Sequence, residues 1–371
     1  MKLLITGING FIGKNVFTYF SENKDIELLT YSHNQTDEEL ANCLLSCDFI
    51  IHLAGVNRPE SMEEFKTGNV DLTTKLCVIL SENKLSIPII FASSTQALQN
   101  NIYGESKLAA EYALLDYSAK QSAPIFIFRL PNVFGKWAKP NYNSVVATFC
   151  HNIVNDLPIQ INDGSAGVTL TYIDDVILQF EAIVQGDHSS IQFVPVKNQY
   201  KITVSELADI INSFKSERAN LMISKVGTGL ERALYATYIS YLKPDQFSYK
   251  LTKHTDNRGS FVEMLKTTNS GQFSFFTAYP GITRGGHYHH TKTEKFLVVH
   301  GKALFKFRNV ITNEYFELET NSETPEVVDT IPGWIHDITN CGAEIMIVML
   351  WANEVFNPFY PDTYSRSLKN E

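Results

Sequence analysis

Residues 2–13 read KLLITGINGFIG, an apolar run followed at once by three glycines, each three positions after the last. The apolar run has the length of a buried strand, and the residues after Phe11 have the periodicity of a helix. A strand, a glycine turn and a helix in this order are typical of a dinucleotide-binding corner. Gly7 permits the turn, Gly10 lets the pyrophosphate approach and Gly13 lets helix and strand pack closely. The residues expected at the cofactor are Gly7, Asn9, Gly10, Phe11, Ile12 and Gly13.

Apolar runs and helical stretches alternate over the first 130 residues. This rhythm predicts an α/β fold of the Rossmann type, a doubly wound parallel sheet covered by helices. The predicted strands are 2–6, 27–31, 49–54, 87–93 and 124–130. The predicted helices are 11–22, 38–47, 70–83 and 106–119, with others near 144–156, 174–185 and 204–214. The less regular region 131–243 is expected to cover a substrate.

The pattern changes near residue 245, where strands and turns replace the helices. The predicted strands are 259–265, 272–279, 294–299, 302–308, 327–331 and 343–351. Their close spacing favours an all-β sandwich or barrel. We place the domain boundary within 243–252, which gives a nicotinamide-binding domain, 1–243, and an all-β domain, 252–371.

Composition narrows the possible partners. The 371 residues include 31 basic and 40 acidic side chains, a net charge of −9, and no basic run, which argues against a nucleic-acid surface. The five cysteines form no CxxC pair, so neither a disulfide framework nor a thiolate zinc site is expected. The sequence begins directly with a strand and has no apolar run near the roughly 20 residues of a membrane-spanning helix. We expect a soluble, cytoplasmic protein.

The second predicted strand ends in Tyr31-Ser32-His33-Asn34. Sites that prefer NAD usually have an acidic residue here, which binds the ribose 2′-hydroxyl. No acid stands at this strand end, and Glu27 lies too early, inside the strand. Ser32 and His33 have side chains that tolerate a 2′-phosphate, so we expect NADP(H) rather than NAD.

The stretch YGESK at 103–107 places Tyr103 and Lys107 four residues apart, hence on one face of a helix. Lys107 is expected to lower the pKa of Tyr103 and to hold the nicotinamide ribose. Tyr103 then exchanges a proton with a substrate oxygen while hydride moves to or from carbon. Three hydroxyl residues, 93–95, end a predicted strand upstream. Ser94 is the preferred residue to orient the substrate carbonyl.

Six stretches of the first domain resemble, in order, the motifs of the extended short-chain dehydrogenase/reductase family. They are TGINGFIG at 6–13, HLAG at 52–55, FASST at 91–95, YGESK at 103–107, RLPNVFG at 129–135 and YIDDV at 172–176. This family acts mostly on nucleotide sugars. The resemblance implies that Asn132 lies near the sugar nucleotide, and that three residues lie near the cofactor: His52, Leu53 and Ala54. Only eight residues separate Ser94 from Tyr103, fewer than is usual in the family, which leaves open whether Ser94 or Thr95 completes the site.

The stretch GITRGGHYHHTKTEKFLVVHG at 281–301 has the spacing of metal ligands. His287 and His289 alternate along one predicted strand, so their side chains face the same side. Glu294 meets them from the next strand, and His336 follows in PGWIH at 332–336. Three imidazoles and a carboxylate suit a borderline divalent ion, with zinc the default.

The second domain resembles the cupin family. The spacing G-x5-H-x-H-x4-E-x6-G in 281–301, followed by PGxxH-x3-N at 332–340, matches the two cupin motifs, so a jelly roll is expected over roughly 253–355. DNRGSFVE at 256–263 and RGGHY at 284–288 resemble the cupin-fold 3,5-epimerases that act on 4-keto-6-deoxy sugar nucleotides. The first resemblance implies that His287 is a ligand and the second that it is the catalytic base. We prefer the ligand role because the other three ligands are present.

The base of such an epimerase is therefore open. The candidates are His290, Lys295, Lys302 and Tyr288. Arg284 is expected to hold a diphosphate or a carbonyl oxygen.

Both domains in this order resemble the bifunctional capsular polysaccharide synthesis enzymes of the UDP-N-acetyl-L-fucosamine route. The resemblance implies that the cupin domain epimerises C3 of a UDP-2-acetamido-2,6-dideoxy-4-ketohexose. The reductase domain then reduces the C4 ketone to the 6-deoxy-L-talose product. The order follows from the chemistry, because the ketone acidifies the C3 proton and its reduction fixes the configuration. A homodimer paired through cupin strands is also expected.

Two alternatives stay open at this point. The first is a redox-neutral nucleotide-sugar 4-epimerase or dehydratase with a structural cupin, which would keep its nicotinamide bound and consume none. The second is a cofactor-sensing regulator, not an enzyme, that uses the cupin to dimerise. Such regulators often lose the tyrosine–lysine pair, which is intact here as Tyr103 and Lys107.

Overall fold

The computed structural model describes residues 1–58, 61, 63–186, 192–256, 259–262, 264–267, 271–354 and 357–368. The chain divides into two compact units. One comprises Met1–Val145 and Gly167–Ile202, and the other Val146–Ala166 and Thr203–Glu371. The predicted boundary at 243–252 marks the change from helices to strands. It lies inside the second unit, so the division into domains 1–243 and 252–371 stays a prediction.

The first unit is built on a six-stranded parallel sheet. The strands of this unit are β1 (Lys2–Thr6), β2 (Glu27–Tyr31), β3 (Phe49–His52), β4 (Ile89–Ser94), β5 (Ile125–Leu130), β6 (Asn132–Phe134), β7 (Gly167–Tyr172), β8 (Gln192–Phe193) and β9 (Gln199–Thr203). The large sheet has the order β2-β1-β3-β4-β5-β8, and β6, β7 and β9 form a small second sheet. Every residue of β3 is buried, as in a parallel strand covered on both faces. The strand order reverses between β1 and β3, the point where such folds bind ligands.

The helices confirm most of the predicted pattern. They are α1 (Phe11–Ser21), α2 (Asp37–Ser46), α3 (Glu63–Phe65), α4 (Leu72–Glu82), α5 (Ile102–Gln121), α6 (Val145–Val154), α7 (Ile173–Val184), α8 (Val204–Asn220) and α9 (Gly229–Ile239). Helix α5 begins at Ile102 rather than at 106, because the Asn101 side chain caps its first turn by accepting from the Gly104 N–H at 2.9 Å. The sequence pattern did not predict α9, which is buried around most of its circumference and lacks a single apolar stripe.

The second unit has a short strand before α9 and is all β from Ser248 onward. Its strands are β10 (Met222–Ile223), β11 (Ser248–Lys250), β12 (Lys253–Asp256), β13 (Gly259–Val262), β14 (Lys266–Thr267), β15 (Gln272–Ala278), β16 (Thr283–Tyr288), β17 (Glu294–His300), β18 (Lys302–Asn309), β19 (Tyr315–Asn321), β20 (Glu326–Asp329), β21 (Trp334–Asn340), β22 (Met346–Ala352) and β23 (Tyr364–Ser365). Two five-stranded antiparallel sheets have the orders β11-β20-β17-β22-β15 and β19-β18-β21-β16-β23. Aromatic side chains from both sheets meet in the core, where the rings of Phe296 and Phe305 lie 5.8 Å apart. The predicted all-β domain of cupin type is confirmed.

Two features of the whole chain bear on its chemistry. Within the described residues, no helix combines the length and the apolarity that crossing a membrane requires. The five cysteines are free thiols. Burial raises the pKa of both Cys47 and Cys77 to about 12, so these two thiols are protonated and unreactive at neutral pH.

Candidate active sites in the two units

The glycine corner lies at the carboxyl end of β1. Gly7 has a φ of +73°, and a Cβ on it would lie 2.6 Å from the Ala54 nitrogen, so the turn requires glycine. A Cβ on Gly13 would lie 2.2 Å from the Gly7 carbonyl oxygen, so helix α1 packs on the turn only without a side chain there. Gly10 is the N-cap of α1. The N–H groups of the first turn therefore open onto the corner, as anion binding requires. The same corner contains the other predicted cofactor residues Asn9, Phe11 and Ile12.

The HLAG segment at the end of β3 is tied to this corner by Thr6. The Thr6 hydroxyl oxygen accepts from the N–H groups of Leu53 and Ala54, both at 3.2 Å. His52 is fully buried, with Nδ1 2.7 Å from the Thr6 hydroxyl and Nε2 2.9 Å from the Thr73 hydroxyl. Burial lowers the pKa of His52 to about 3, so the ring is neutral. Through Thr6 and Thr73 the buried His52 ring links β1 to α4. Leu53 and Ala54 border the glycine corner.

Tyr103 lies in the first turn of α5, and Ser94 is the last residue of β4. Burial raises the pKa of Tyr103, and a hydrogen bond with the Ser94 side chain lowers it in part. The predicted lowering by Lys107 is wrong for this structure, because burial outweighs the other influences. Ser94 is half-buried and contacts Tyr103, whereas Thr95 is exposed. The geometry therefore favours Ser94 over Thr95.

Lys107 reaches from α5 toward the HLAG segment. Its Nζ donates to the Ala92 carbonyl at 3.0 Å, and a Cβ on Gly55 would lie 3.0 Å from this Nζ. Burial lowers the pKa of Lys107 to about 8, and the Glu111 carboxylate opposes this shift. The ammonium thus lies beside the segment that borders the glycine corner, where a ribose hydroxyl would need a donor.

The short loop before Tyr103 has a structural explanation. A 3₁₀ helix, Thr95–Leu98, follows β4 directly and packs against the first turn of α5. A Cβ on Gly104 would lie 2.1 Å from the Gln96 carbonyl oxygen, so the two helices approach closely because residue 104 has no side chain. This contact replaces a longer loop and keeps Ser94 next to Tyr103.

Two buried residues behind this site were not predicted. Glu111 accepts from the Ser93 hydroxyl at 2.5 Å and from the Arg129 guanidinium at 2.6 and 3.0 Å. Ser93 is therefore engaged in the core and is not available to a substrate. Asn69, in the π-helical segment Lys66–Asp71, bonds the backbone N–H and carbonyl of Val56 at 2.8 and 2.9 Å. Sequence motifs do not reveal Glu111 or Asn69, because the residues that they bind are distant in the sequence.

The predicted residues for the adenosine ribose and the sugar lie at the surface. The Ser32 N–H donates to the Gln35 side chain at 2.8 Å, and His33 is exposed. Asn132, the first residue of β6, is exposed, and its amide donates to the Thr169 carbonyl at 3.2 Å. These three predicted residues are accessible to a ligand.

In the second unit, four side chains converge as predicted. The ligand atoms of His287, His289, Glu294 and His336 all lie within 4.8 Å of one another. The Nε2 atoms of His289 and His336 lie 3.1 and 3.6 Å from Glu294 Oε2. Strands β16, β17 and β21 supply His287, Glu294 and His336. The placement of His289 on the strand of His287 is wrong, because β16 ends at Tyr288 and His289 opens the following turn.

Backbone carbonyls fix which nitrogen of each imidazole faces this cluster. The pairs are His287 with Gly285, His289 with Asp362 at 2.6 Å, and His336 with Trp334 at 3.4 Å. Metal-binding histidines usually have such an outer partner. Within the described residues, the buried Nε2 of His336 has no hydrogen-bond partner. The residues present therefore fit a divalent ion such as zinc.

The pKa shifts of His287 and Glu294 also suit a metal. Burial, together with the neighbouring imidazoles, lowers the pKa of His287 to about 3. Although burial opposes it, His289 and His336 hold the pKa of Glu294 well below its usual range. Neutral imidazoles and an ionised carboxylate are the forms that bind metal ions.

Neither lysine among the candidate bases lies at the cluster. Lys295 is buried with its Nζ 2.6 Å from Asp329 Oδ1, and although burial opposes it, this carboxylate raises the pKa of Lys295. Lys302 is paired with Glu319 at 2.5 Å and begins β18, whereas His336 is opposite Phe307. Lys302 lies five residue steps along the strand from that position, about 17 Å. The geometry disfavours both lysines as bases.

The other candidates have aromatic neighbours. The rings of Tyr288 and His290 lie 5.6 and 4.7 Å from that of Tyr364, and both side chains are buried. The Arg284 guanidinium lies 5.2 Å from the centre of the Phe276 ring and is exposed. In the DNRGSFVE motif, three positions lie outside the described residues: Asn257, Arg258 and Glu263.

Comparisons with known proteins agree with this architecture. The pattern of the NAD dependent epimerase/dehydratase family matches residues 3–191, and that of the polysaccharide biosynthesis C-terminal domain matches 254–364. A Pseudomonas aeruginosa protein named UDP-2-acetamido-2,6-beta-L-arabino-hexul-4-ose reductase is 54% identical over 368 residues, 99% of either chain. The crystal structure of the capsular polysaccharide assembling protein CapF from Staphylococcus aureus is 41% identical, with a TM-score of 0.67, over 99% of this chain and 100% of that one.

A more distant structure shows the fold of the first unit alone. UDP-glucuronic acid 4-epimerase from Bacillus cereus is 20% identical, with a TM-score of 0.52, and covers 59% of this chain and 83% of its own. Family membership implies a nicotinamide cofactor. The chain belongs to the NAD dependent epimerase/dehydratase family and carries, after that domain, a polysaccharide biosynthesis C-terminal domain of cupin type.

Proposed function

We propose that this protein is a bifunctional nucleotide-sugar enzyme of capsular polysaccharide precursor synthesis. The cupin domain, 252–371, epimerises C3 of a UDP-2-acetamido-2,6-dideoxy-4-ketohexose. The reductase domain, 1–243, then reduces the C4 ketone to UDP-2-acetamido-2,6-dideoxy-L-talose. The observation that carries the proposal is that one chain contains both the Ser94–Tyr103–Lys107 arrangement and the four-residue cluster in the second unit. A relative named as a reductase of a 4-ulose matches it over its full length.

Reduction at C4 relies on the residues at the end of β4 and the start of α5. Bound NADPH supplies the hydride. The Tyr103 hydroxyl donates its proton to the C4 oxygen as the ketone becomes an alcohol. Ser94, already hydrogen-bonded to Tyr103, orients that oxygen. Lys107, beside Gly55, holds the nicotinamide ribose.

The preference for NADPH is part of the proposal. The strand end after Tyr31 offers Ser32 and His33 instead of a carboxylate. The acid that opens α2, Asp37, is paired with Lys75 at 2.7 Å. A 2′-phosphate would therefore meet an imidazole and a hydroxyl rather than a free carboxylate at this position.

Epimerisation at C3 requires loss of a proton, which the adjacent C4 ketone makes acidic, and return of a proton to the opposite face of the enolate. A divalent metal would be held by His287, His289, Glu294 and His336 and would supply Lewis acidity for the developing enolate. Arg284 is the proposed contact to the diphosphate or to a carbonyl oxygen. The base is Tyr288 or His290 among the described candidates, since both lysines are disfavoured by their positions. Zinc is the proposed ion, because three imidazoles and one carboxylate are ligands that it commonly takes.

Location and assembly complete the proposal. We propose that the protein is cytoplasmic. We propose a homodimer paired through cupin strands.

The decisive experiment separates the two chemistries. The protein is incubated with a UDP-4-keto-6-deoxy-HexNAc in deuterated water without NADPH, and deuterium at C3 is measured by mass spectrometry and NMR. Exchange is expected in the wild type and is lost in His336→Ala. When NADPH is then added, its oxidation should be in proportion to the reduced sugar that is formed.

Each part can fail by itself. No exchange in a protein shown to contain metal would remove the epimerase assignment. A protein that interconverts sugar isomers without consuming NADPH would instead be a redox-neutral 4-epimerase. Binding of the cofactor with no turnover of any 4-ketosugar would favour the regulator.

A further inference from the structure

The C-terminal strap, residues 361–366, runs alongside the segment that carries two of the predicted ligands. Its strand, β23, pairs with β16 so that Ser365 is opposite His287 and Tyr364 is opposite Tyr288. The Arg366 N–H donates to the Gly286 carbonyl at 2.9 Å. The strap thus contacts a strand that precedes it by more than 70 residues.

Within the strap, the Asp362 carboxylate binds three successive backbone N–H groups. They belong to His290 at 2.9 Å, Thr291 at 2.8 Å and Lys292 at 2.7 Å. Successive N–H groups directed at one point form an anion-binding concavity, and here the anion is a side chain of the same protein. The Thr291 hydroxyl adds a contact at 3.1 Å. These contacts fix the turn between His289 and Glu294.

The backbone of the same residue acts on a ligand directly. The Asp362 carbonyl accepts from His289 Nδ1 at 2.6 Å, which leaves Nε2 facing Glu294. Asp362 has a φ of +39°, a conformation that few non-glycine residues adopt. The carboxylate contacts hold the residue in this conformation and so hold its carbonyl against the imidazole.

We infer that Asp362 is a positioning residue for the metal site: its carboxylate shapes the turn 290–292, and its carbonyl sets the tautomer and orientation of His289. The inference rests on the proposed function, because it concerns the metal that the cupin domain would hold. It extends the site by a segment that lies far from the ligands in the sequence. Loss of an outer partner of a metal-binding histidine typically lowers metal affinity about 10- to 100-fold.

The strap also supplies a matched control. The Thr363 hydroxyl accepts from Lys292 Nζ at 2.8 Å, so it joins the strap to the same turn without contacting the N–H groups or His289. Thr363→Val removes this contact and leaves the Asp362 contacts in place. A purely structural role of the strap would make the two variants behave alike in metal binding.

The experiment uses the full-length protein, stripped with a chelator and titrated with Zn²⁺ by calorimetry, and with Co²⁺ by visible absorption. We expect Asp362→Ala to lose about 10- to 100-fold in Zn²⁺ affinity and to alter the Co²⁺ spectrum. Asp362→Asn retains acceptor oxygen but not the charge, so it should fall in between. Thr363→Val should bind as the wild type does.

The outcomes distinguish the inference from the proposed function. Wild-type affinity and Co²⁺ spectrum in a folded Asp362→Ala would overturn the inference while the metal site stands. If the alanine variant does not fold, the asparagine variant decides by the same criterion. A wild-type protein that takes up no Zn²⁺ at the cluster, judged against His336→Ala, would remove the metal site and the inference together, while the reductase assignment would stand.

Discussion

The two candidate sites differ in how far along the chain their residues are spread. In the first unit, Ser94, Tyr103 and Lys107 lie within 14 residues, on one strand end and the first two turns of one helix. In the second, the cluster spans His287 to His336 and takes residues from three strands and a turn, with Asp362 behind it. A site built on adjacent elements is set by local structure. A site built across two sheets needs the whole domain to fold.

The largest expected effect comes from Tyr103→Phe. The change removes the proton donor and keeps the ring that packs 5.8 Å from Phe65, so the fold should be intact. Loss of a general acid lowers turnover about 10²- to 10⁴-fold. The measurement is NADPH oxidation with a 4-ketosugar, alongside C3 deuterium exchange, which should be unchanged.

Measuring NADPH oxidation and C3 exchange in the same variant tests whether the two units act separately. If Tyr103→Phe also abolished C3 exchange while metal content stayed at the wild-type level, one site would perform both steps. Unchanged NADPH oxidation would end the assignment of Tyr103 as the proton donor.

The sequence predicted what depends on local patterns. The spacing after a strand identifies Gly7, Gly10 and Gly13, and the glycine geometry bears out the turn predicted at Gly7 and the close packing predicted at Gly13. The cluster of His287, His289, Glu294 and His336 is also predicted, because its four residues are of types that bind metal ions at a cupin spacing. No pattern marks Asp362, since an aspartate that caps a turn looks like any other in the sequence.

Errors in the prediction have the same origin. The pKa of Tyr103 was expected to fall because of Lys107, yet burial by surrounding elements raises it. The sequence makes Lys295 a candidate base, but Asp329, on a different strand, pairs with it. Burial and partners from distant segments decide the pKa of Tyr103 and the pairing of Lys295. The sequence alone does not show which segments come together in the fold.

A second contrast concerns one buried carboxylate in each unit. Glu111 has a full set of partners, the Arg129 guanidinium and the Ser93 hydroxyl. Glu217, on α8, accepts from the Ser224 N–H at 3.0 Å, and within the described residues its Oε2 has no hydrogen-bond partner. Burial raises the pKa of Glu217 from 4.5 to about 7, with the Ser224 hydrogen bonds opposing the shift.

The Glu217→Gln variant should therefore gain stability at alkaline pH. Between pH 4.5 and about 7 the folded chain holds a proton that the unfolded chain has released. The stability that the protonated Glu217 carboxyl gives to the folded chain is complete below pH 4.5 and is lost as the pH rises through about 7. At pH 8 the variant should exceed the wild type by up to about 3 kcal/mol, and at pH 4.5 the two should be nearly equal. Urea unfolding at both pH values measures this.

Glu111→Gln is the matched control for that measurement. It leaves the Arg129 guanidinium, which Glu111 binds at 2.6 Å, without its ionised partner. Breaking a buried ion pair is destabilising. The control should lose stability at both pH values, and a Glu217→Gln variant that behaved in the same way would show that Glu217 is ionised and satisfied in the fold.

The smallest expected effect distinguishes Ser94 from Thr95 within the reductase site. Ser94→Ala removes the hydroxyl that bonds Tyr103, a neutral hydrogen bond that contributes about 1 kcal/mol, so turnover should fall about fivefold. Thr95→Val removes an exposed hydroxyl of similar chemistry one residue later and should change turnover by less than about twofold. Steady-state rates of NADPH oxidation compare the two. A larger loss in Thr95→Val would reverse the assignment and would mean that the 3₁₀ helix after β4 rearranges when substrate binds. If both variants kept the wild-type rate, Tyr103 alone would position the ketone. The reductase site would then need even fewer residues than its motif contains.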